Sequence, residues 1–294
     1  MPSLTVFAPA KINLFLAITG RRADGFHDLV SVVSPLRWGD ELDIETRAAG
    51  LYSLSCDTPS VPLDDTNLIL RAAHLFANAA KPQHGAHFHL RKKVPMGAGL
   101  GGGSSDGTAT LVGLNKLAGE PLSHEQLAKL AAQLGSDCSL FLHARACVMR
   151  GRGESIVPLT GSAVARLSGR RLLVFKPDFG INTAWAYRQL AASAPGSYLV
   201  NDAAEARLAA WMNSDQPTER LIFNNMEPPA FAKFLALPTL LEELHKRFGL
   251  TVGMSGSGSA CFALISDGKN LPEIEGFIRQ AWGLQTFVVQ TETA

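Results

Sequence analysis

Pro95-Met96-Gly97-Ala98-Gly99-Leu100-Gly101-Gly102-Gly103-Ser104-Ser105-Asp106 is the stretch around which the rest of the chain is arranged, and five of its twelve residues are glycine. Glycine loses more backbone freedom on folding than any other residue, so a cluster of this kind is a costly way to make a turn. It suits backbone brought close to a guest, with N–H groups directed at it, and phosphate is the guest such a surface fits best. Upstream, residues 86–90 alternate as a short strand does. Downstream, Ala109, Leu111, Val112, Leu114 and Leu117 fall near helical spacing within residues 104–117. The segment therefore reads strand, glycine loop, helix, with Ser104 or Ser105 as the expected cap and the loop amides at the positive end of the helix dipole. Serine hydroxyls there also suit a phosphate-bound Mg2+.

Two other glycine signatures fit less well. Gly97, Gly99 and Gly102 satisfy G-x-G-x-x-G, but the dinucleotide fold places that pattern in an early βαβ unit. Here the loop lies a third of the way along the chain and two helices follow it. The Walker form is absent, since no Gly-Lys-Ser or Gly-Lys-Thr occurs.

The 294 residues are 46% apolar and 18% charged, a composition that suits a soluble globular protein of two packed domains. Twenty-seven basic against 26 acidic residues leave a net charge of +1, which weighs against general nucleic-acid binding. Cys56, Cys138, Cys147 and Cys261 show no C-x-x-C spacing, and no basic segment with an apolar core opens the chain. A cytoplasmic location with reduced thiols is expected, and Cys138 reads as a small buried thiol. No apolar run approaches the ~20 residues of a membrane span.

In chain order, residues 4–8 and 12–18 read as two strands parted at Ala8-Pro9-Ala10-Lys11, because proline cannot donate to a ladder. Lys11 and Asn13 project to one side of an extended chain; plain exposure at a strand start accounts for Lys11 equally well. Asp24-Gly25 marks a turn, followed by Phe26-His27, a pair that suits either a planar base or a hairpin tip. Strands are expected at 29–36, 41–46 and 52–55, then a helix to residue 80 capped by Thr66-Asn67. Ser123 and Gln126 form a capping box for a helix that stops at Gly135. Asp137 stands just past that stop and before Leu140-Phe141-Leu142, where it either caps the next turn or does chemistry. Residues 161–168 read as a linker, dividing the chain into domains 1–165 and 166–294. The second domain reads β, α, α, α, β, α, β, with strands at 171–175, 261–265 and 286–290 and a helix over 229–248 broken near Pro238. A second small-residue loop, 253–260, leads into the strand from Cys261.

Taken together, these motifs resemble the GHMP kinases, the superfamily of galactokinase, homoserine kinase, mevalonate kinase and phosphomevalonate kinase. Residues 95–105 are similar to its phosphate loop. Ala8-Pro9-Ala10-Lys11-Ile12-Asn13-Leu14 and Arg22-Ala23-Asp24-Gly25-Phe26-His27 narrow the likeness to the branch whose acceptor carries a cytidine diphosphate group. Leu134-Gly135-Ser136-Asp137, Pro177-Asp178-Phe179-Gly180-Ile181-Asn182-Thr183 and Gly256-Ser257-Gly258 follow in the family's order, so the likeness spans the chain. It implies an α+β, two-domain GHMP kinase fold, with an N-terminal domain like ribosomal protein S5 domain 2 and a ferredoxin-like C-terminal domain. It implies transfer of the ATP γ-phosphoryl group, with Mg2+, to the 2-hydroxyl of a cytidylylated methylerythritol in the non-mevalonate isoprenoid route.

By the same likeness Asp137 is the catalytic carboxylate and Lys11 its partner. Asn67, Lys92, Pro95, Met96, Gly97, Ala98, Gly99, Leu100, Gly101, Gly102, Gly103, Ser104 and Ser105 serve ATP, with Ser105 toward the metal. Asn13, Phe26 and His27 hold the cytidine side. Many members carry Tyr at the position of Phe26, so stacking is kept and a phenol hydrogen bond is lost. The expected partner is a small molecule, with no nucleic acid or membrane, and the expected state a monomer or weak homodimer. Mevalonate, homoserine or a sugar is the rival acceptor, and Phe26-His27 discriminates because none of these carries a base. RNA binding, seen in S5-like domains, is the rival of another class, and the near-zero net charge argues against it.

Overall fold

In the computed structural model, which describes residues 3–294, the chain sorts into two compact units. The first holds the chain up to Lys11 with Trp38–Met96 and Gly101–Ala144; the second holds Ile12–Arg37, Gly97–Leu100 and Arg145–Ala294. Two long strands, β1 (Ser3–Arg21) and β2 (His27–Arg47), contribute to both.

The break expected at Pro9 does not occur, and the segments 29–36 and 41–46 likewise belong to one strand. The reason lies opposite the proline. A Cβ on Gly39 of β2 would stand 2.1 Å from the Ala8 carbonyl oxygen and 2.6 Å from Pro9 Cα. With no side chain there, the two backbones approach and both strands continue.

In the first unit β4 (Gly85–Arg91) pairs antiparallel with β2 from Glu41↔Arg91 to Arg47↔Gly85, and β3 (Tyr52–Cys56) joins β4 in parallel. Parallel neighbours need a crossover, which α1 (Leu68–Ala80) supplies. Alternation along β4 turns Ala86, Phe88 and Leu90 to one face, where with Leu42 and Ile44 they form a core. Ile69 and Phe76 of α1, Leu111 and Leu114 of α2 (Gly102–Leu117) and Leu127 of α3 (His124–Leu134) complete it. The capping box of α3 forms as expected: Ser123 Oγ accepts the Gln126 N–H and Gln126 Oε1 accepts the Ser123 N–H.

In the second unit β5 (Cys147–Gly151) pairs antiparallel with Leu29 to Val33 of β2, and β6 (Ser155–Pro158) pairs with β5. Those bonds carry residues from Arg145 onward into this unit, so packing divides the chain after Ala144, ahead of the expected boundary at 165. The expected linker is instead α4 (Gly161–Leu167), which buries Ala163 and Leu167. A four-stranded antiparallel sheet follows, built from β7 (Arg171–Lys176), β9 (Thr251–Met254), β10 (Cys261–Leu264) and β11 (Phe287–Glu292) in the order β11-β7-β10-β9. In order of appearance this is fourth, first, third, second. Helices α5 (Thr183–Ala192), α6 (Asn201–Met212), α7 (Glu227–Lys233) and α8 (Ala236–Phe248) lie between its first two strands, and α9 (Leu271–Trp282) between its last two. That is the ferredoxin-like arrangement. Phe175, Cys261 and Ala263 of the sheet pack with Leu240, Leu244, Ile274 and Ile278 of the helices.

Four short strands were not expected from the sequence: β5, β6, β9, and β8 (Phe223–Asn224), which pairs in parallel with Phe15 and Leu16 of β1. The helix expected over 229–248 is broken before Pro238, with Phe234 closing α7. Pro238 itself sits in the first turn of α8, where its missing N–H leaves no intrahelical bond unmade. Among the described residues no helix is long and apolar enough to cross a membrane.

Gly39→Ala is expected to lower stability by about 1–3 kcal/mol, the cost of overpacking a tight contact. The check is the urea midpoint, and an unchanged value would mean that the close approach of β1 and β2 is not required.

Candidate active site

The glycine loop ends in a backbone anion cradle. Gly97, Gly99 and Gly101 take φ values of 61°, 79° and 71°, a left-handed conformation that glycine adopts without penalty. Gly101, not a serine, is the cap of α2, and no side chain caps this helix. Its first intrahelical bond runs from the Ser105 N–H to the Gly101 carbonyl at 2.9 Å. The amides of Gly102, Gly103 and Ser104 therefore precede the hydrogen-bond ladder at the positive end of a sixteen-residue helix. Ser104 and Ser105 lie inside the first turn. Ser105 is 1% exposed and its Oγ has no protein partner.

Beneath this turn sits a buried ion cluster. Lys92 Nζ donates to Asp40 Oδ2 and Asp106 Oδ2, each at 2.6 Å. Asp40 Oδ1 also accepts the N–H groups of Lys93 and Val94. Burial, with Asp40 beside it, holds Asp106 well above the usual carboxylate range, while Lys92 pulls the other way. A Cβ on Gly102 would stand 2.9 Å from Lys92 Nζ. Lys92 thus braces the cradle from below, and its ammonium is engaged by two carboxylates. Asn67 is similarly occupied: its Oδ1 accepts the Ile69 N–H at the start of α1, and its Nδ2 donates to the Pro62 carbonyl. The next residue, Leu68, faces Gly103 and Gly107 of α2, which puts this cap beside the cradle.

Lys11 and Asp137 come together in the same unit. Lys11 Nζ lies 3.5 Å from Asp137 Oδ2, with side-chain exposures of 6% and 39%. Asp137 opens a short 3-10 turn, Cys138–Leu142, and makes no capping bond with its side chain. Of its two sequence readings, the cap is therefore not used. The turn is tied to α2 by the Thr108 hydroxyl, 2.7 Å from the Cys138 carbonyl. Burial pushes the Cys138 thiol up to about 11, which keeps it protonated and inert. The Lys11 stem passes directly over the loop: a Cβ on Gly101 would meet Lys11 Cγ and Phe141 Cζ, each at 2.9 Å.

In the second unit Asn13 Nδ2 donates to Ser31 Oγ at 3.0 Å, and Ser31 Oγ donates to the Phe15 carbonyl. The Asn13 N–H reaches Ser255 Oγ at 3.3 Å, and that hydroxyl donates to the Gly99 carbonyl at 3.0 Å. The Ala260 N–H donates to the Ala98 carbonyl. The 253–260 segment thus holds residues 98 and 99 of the glycine loop in place. Phe26, 56% exposed, is set by its N–H bond to Asp24 Oδ1 and has the Arg152 guanidinium 4.4 Å from its ring centroid. The His27 ring lies 4.9 Å from that of Tyr187 and 6.0 Å from that of Tyr198, and its Nε2 is buried without a protein partner. Burial, with Arg21 adding to it, holds His27 below its usual range, so the ring is neutral at pH 7. Tyr187, Tyr198 and Arg152 went unnoticed in the sequence, since only the fold brings them to Phe26-His27. Among the described residues no group of three His, Cys, Asp or Glu side chains stands ready to hold a metal ion.

The models for the GHMP kinases N terminal domain and GHMP kinases C terminal match residues 67–145 and 202–283. A 4-diphosphocytidyl-2-C-methyl-D-erythritol kinase of Synechococcus sp. (strain CC9311) is 39% identical over 273 residues, covering 89% of this chain and 86% of the relative. One of the same name from Methylacidiphilum infernorum is 38% identical over 261 residues, covering 88% and 85%. A crystal structure of 4-(cytidine 5'-diphospho)-2C-methyl-D-erythritol kinase superposes with a TM-score of 0.78 at 33% identity, over 99% of this chain and 100% of that one. Homoserine kinase from Cytophaga hutchinsonii shares the fold, with a TM-score of 0.76 at 17% identity over 100% of this chain and 95% of that one. This chain belongs to the GHMP kinases and, within them, to the 4-diphosphocytidyl-2-C-methyl-D-erythritol kinase family.

Proposed function

We infer that the chain transfers the γ-phosphoryl group of ATP to the 2-hydroxyl of 4-diphosphocytidyl-2-C-methyl-D-erythritol, giving the 2-phosphate and ADP, a step of the non-mevalonate route to isopentenyl diphosphate and terpenoids. The observation that carries the chemistry is the Lys11–Asp137 pair, at 3.5 Å, lying across the loop glycine Gly101. The family names carry the acceptor. The N- and C-terminal GHMP kinase domains correspond to the matches at residues 67–145 and 202–283. The enzyme acts in the cytoplasm as a monomer or weak homodimer, with no nucleic-acid or membrane partner.

Phosphoryl transfer passes through a loose transition state, so the protein's task is positioning and charge compensation. The amides of Gly102, Gly103 and Ser104 receive phosphate oxygens, and the residues from Pro95 to Gly101 shape the approach. Asp137 accepts the proton of the acceptor hydroxyl as that oxygen attacks phosphorus. Lys11, 3.5 Å from that carboxylate, stabilises the charge that develops beside it. Mg2+ bound to the nucleotide phosphates would neutralise charge on the transferred group. The buried, unpartnered Ser105 hydroxyl suits that ion. Asn13, Phe26 and His27 receive the cytidine side: a neutral imidazole is able both to donate and to accept a hydrogen bond, and one face of Phe26 stacks on the base.

Asp137→Asn is expected to lower kcat by ~10²–10⁴ while ATP affinity changes little, measured by coupled ADP release and by calorimetry. A folded variant with wild-type turnover would remove Asp137 from the chemistry. Gly101→Val forces a side chain into Lys11 and Phe141 and is expected to cost about 10² in kcat and to weaken ATP binding as well. Unaltered ATP binding in that variant would detach the loop from the nucleotide.

A further inference from the structure

A cavity of about 850 Å³ opens in the second unit, bordered by α5, residues 193–199 and the start of α7. Sites for small molecules are of this size, roughly 300–1,000 Å³. None of the residues assigned above to ATP or cytidine lines it. Its walls are chiefly apolar, from side chains such as Leu190, Ile222, Phe231 and Val252, and one carboxyl, that of Glu227, stands among them. No lysine, arginine, histidine or aspartate lines the cavity among the described residues.

Glu227 is the first residue of α7, and its Oε1 accepts the Met254 N–H at 2.9 Å. That is a neutral donor. A carboxylate taken out of water without a cation is unfavourable, and burial pushes Glu227 up to about 7, with the Met254 N–H pulling the other way. An apolar space with one under-compensated carboxyl matches a guest with the opposite design. We propose that this cavity binds a small organic cation, an aromatic or aliphatic body carrying one protonated amine, with Glu227 as its anionic anchor.

The cavity borders on backbone that matters elsewhere in the unit. Asn224 Nδ2 donates to the carbonyls of Met254 and Gly256, each at 2.8 Å, so Asn224 and Glu227 together hold the stretch that leads to Ser255. Tyr198 lines the cavity, and its ring is also the neighbour of His27. An occupant paired with Glu227 therefore lies against the residue that holds Met254, in a cavity whose wall includes an aromatic that packs by the cytidine-side histidine.

Titration calorimetry of the full chain at pH 8 with 1-naphthylmethylamine and 1-naphthylmethanol separates charge from shape. The amine is expected to bind about tenfold tighter or more than the alcohol, the scale of a charge-assisted hydrogen bond in a buried site. In Glu227→Gln that advantage should disappear while the alcohol's affinity is kept. Equal affinity of the two compounds for the wild-type chain, binding of neither, or an amine preference that survives Glu227→Gln would each overturn the proposal. The wild-type comparison decides on its own if the variant does not fold.

Discussion

Lys11 crosses the glycine loop at Gly101 on its way to Asp137, and the rest of the first unit is arranged to permit that crossing. Gly101 has to be glycine twice over: its φ of 71° is left-handed, and the space its Cβ would take is filled by the Lys11 stem and Phe141. The glycine loop and the side chain that partners Asp137 are thus fixed by one contact. Around it, β1 holds the lysine, the Thr108 hydroxyl ties the Asp137 turn to α2, and Lys92 with its two carboxylates supports the helix start. A buried ammonium between Asp40 and Asp106 adds little net stability of its own, but it fixes geometry, because either carboxylate left unpaired there would be costly.

The second unit applies the same economy to recognition. One hydroxyl, Ser255 Oγ, takes the Asn13 N–H and gives its proton to Gly99, so strand β1, the glycine loop and the 253–260 segment share a single buried atom. Phe26 and His27 leave a turn fixed by Asp24, and the histidine is kept neutral by burial against Tyr187 and Tyr198. A neutral ring suits the edge of a pyrimidine base, whereas an imidazolium would offer donors alone.

Much of this was legible in the sequence, for definite reasons. The strand–loop–helix reading of residues 86–117 rested on spacing and glycine content, both local properties, and it located the cradle. Capping chemistry located α3, and with it the position of Asp137. What was missed depended on partners far away in the chain. Pro9 breaks a strand by any local rule, and only Gly39 across the sheet cancels it. β8 and β9 are too short to carry an alternating pattern, and the aromatic neighbours of His27 come from α5 and the segment after it. Ser104 and Ser105 look like caps in the sequence, yet they fall inside the first turn of α2 and Gly101 takes the cap position, an outcome set by the left-handed backbone and the passage of Lys11. The local sequence left Asp137 and Lys11 open between structural and chemical readings; resemblance supplied their pairing, and the two side chains lie 3.5 Å apart.

This loop and carboxylate are proposed to serve an acceptor that carries a cytidine diphosphate. The most direct measurement is ADP release by the purified chain with Mg-ATP, offered 4-diphosphocytidyl-2-C-methyl-D-erythritol, mevalonate, homoserine and galactose in parallel. Turnover is expected with the cytidylylated acceptor and background rates with the other three. Turnover with mevalonate, homoserine or galactose and none with the cytidylylated compound would contradict it.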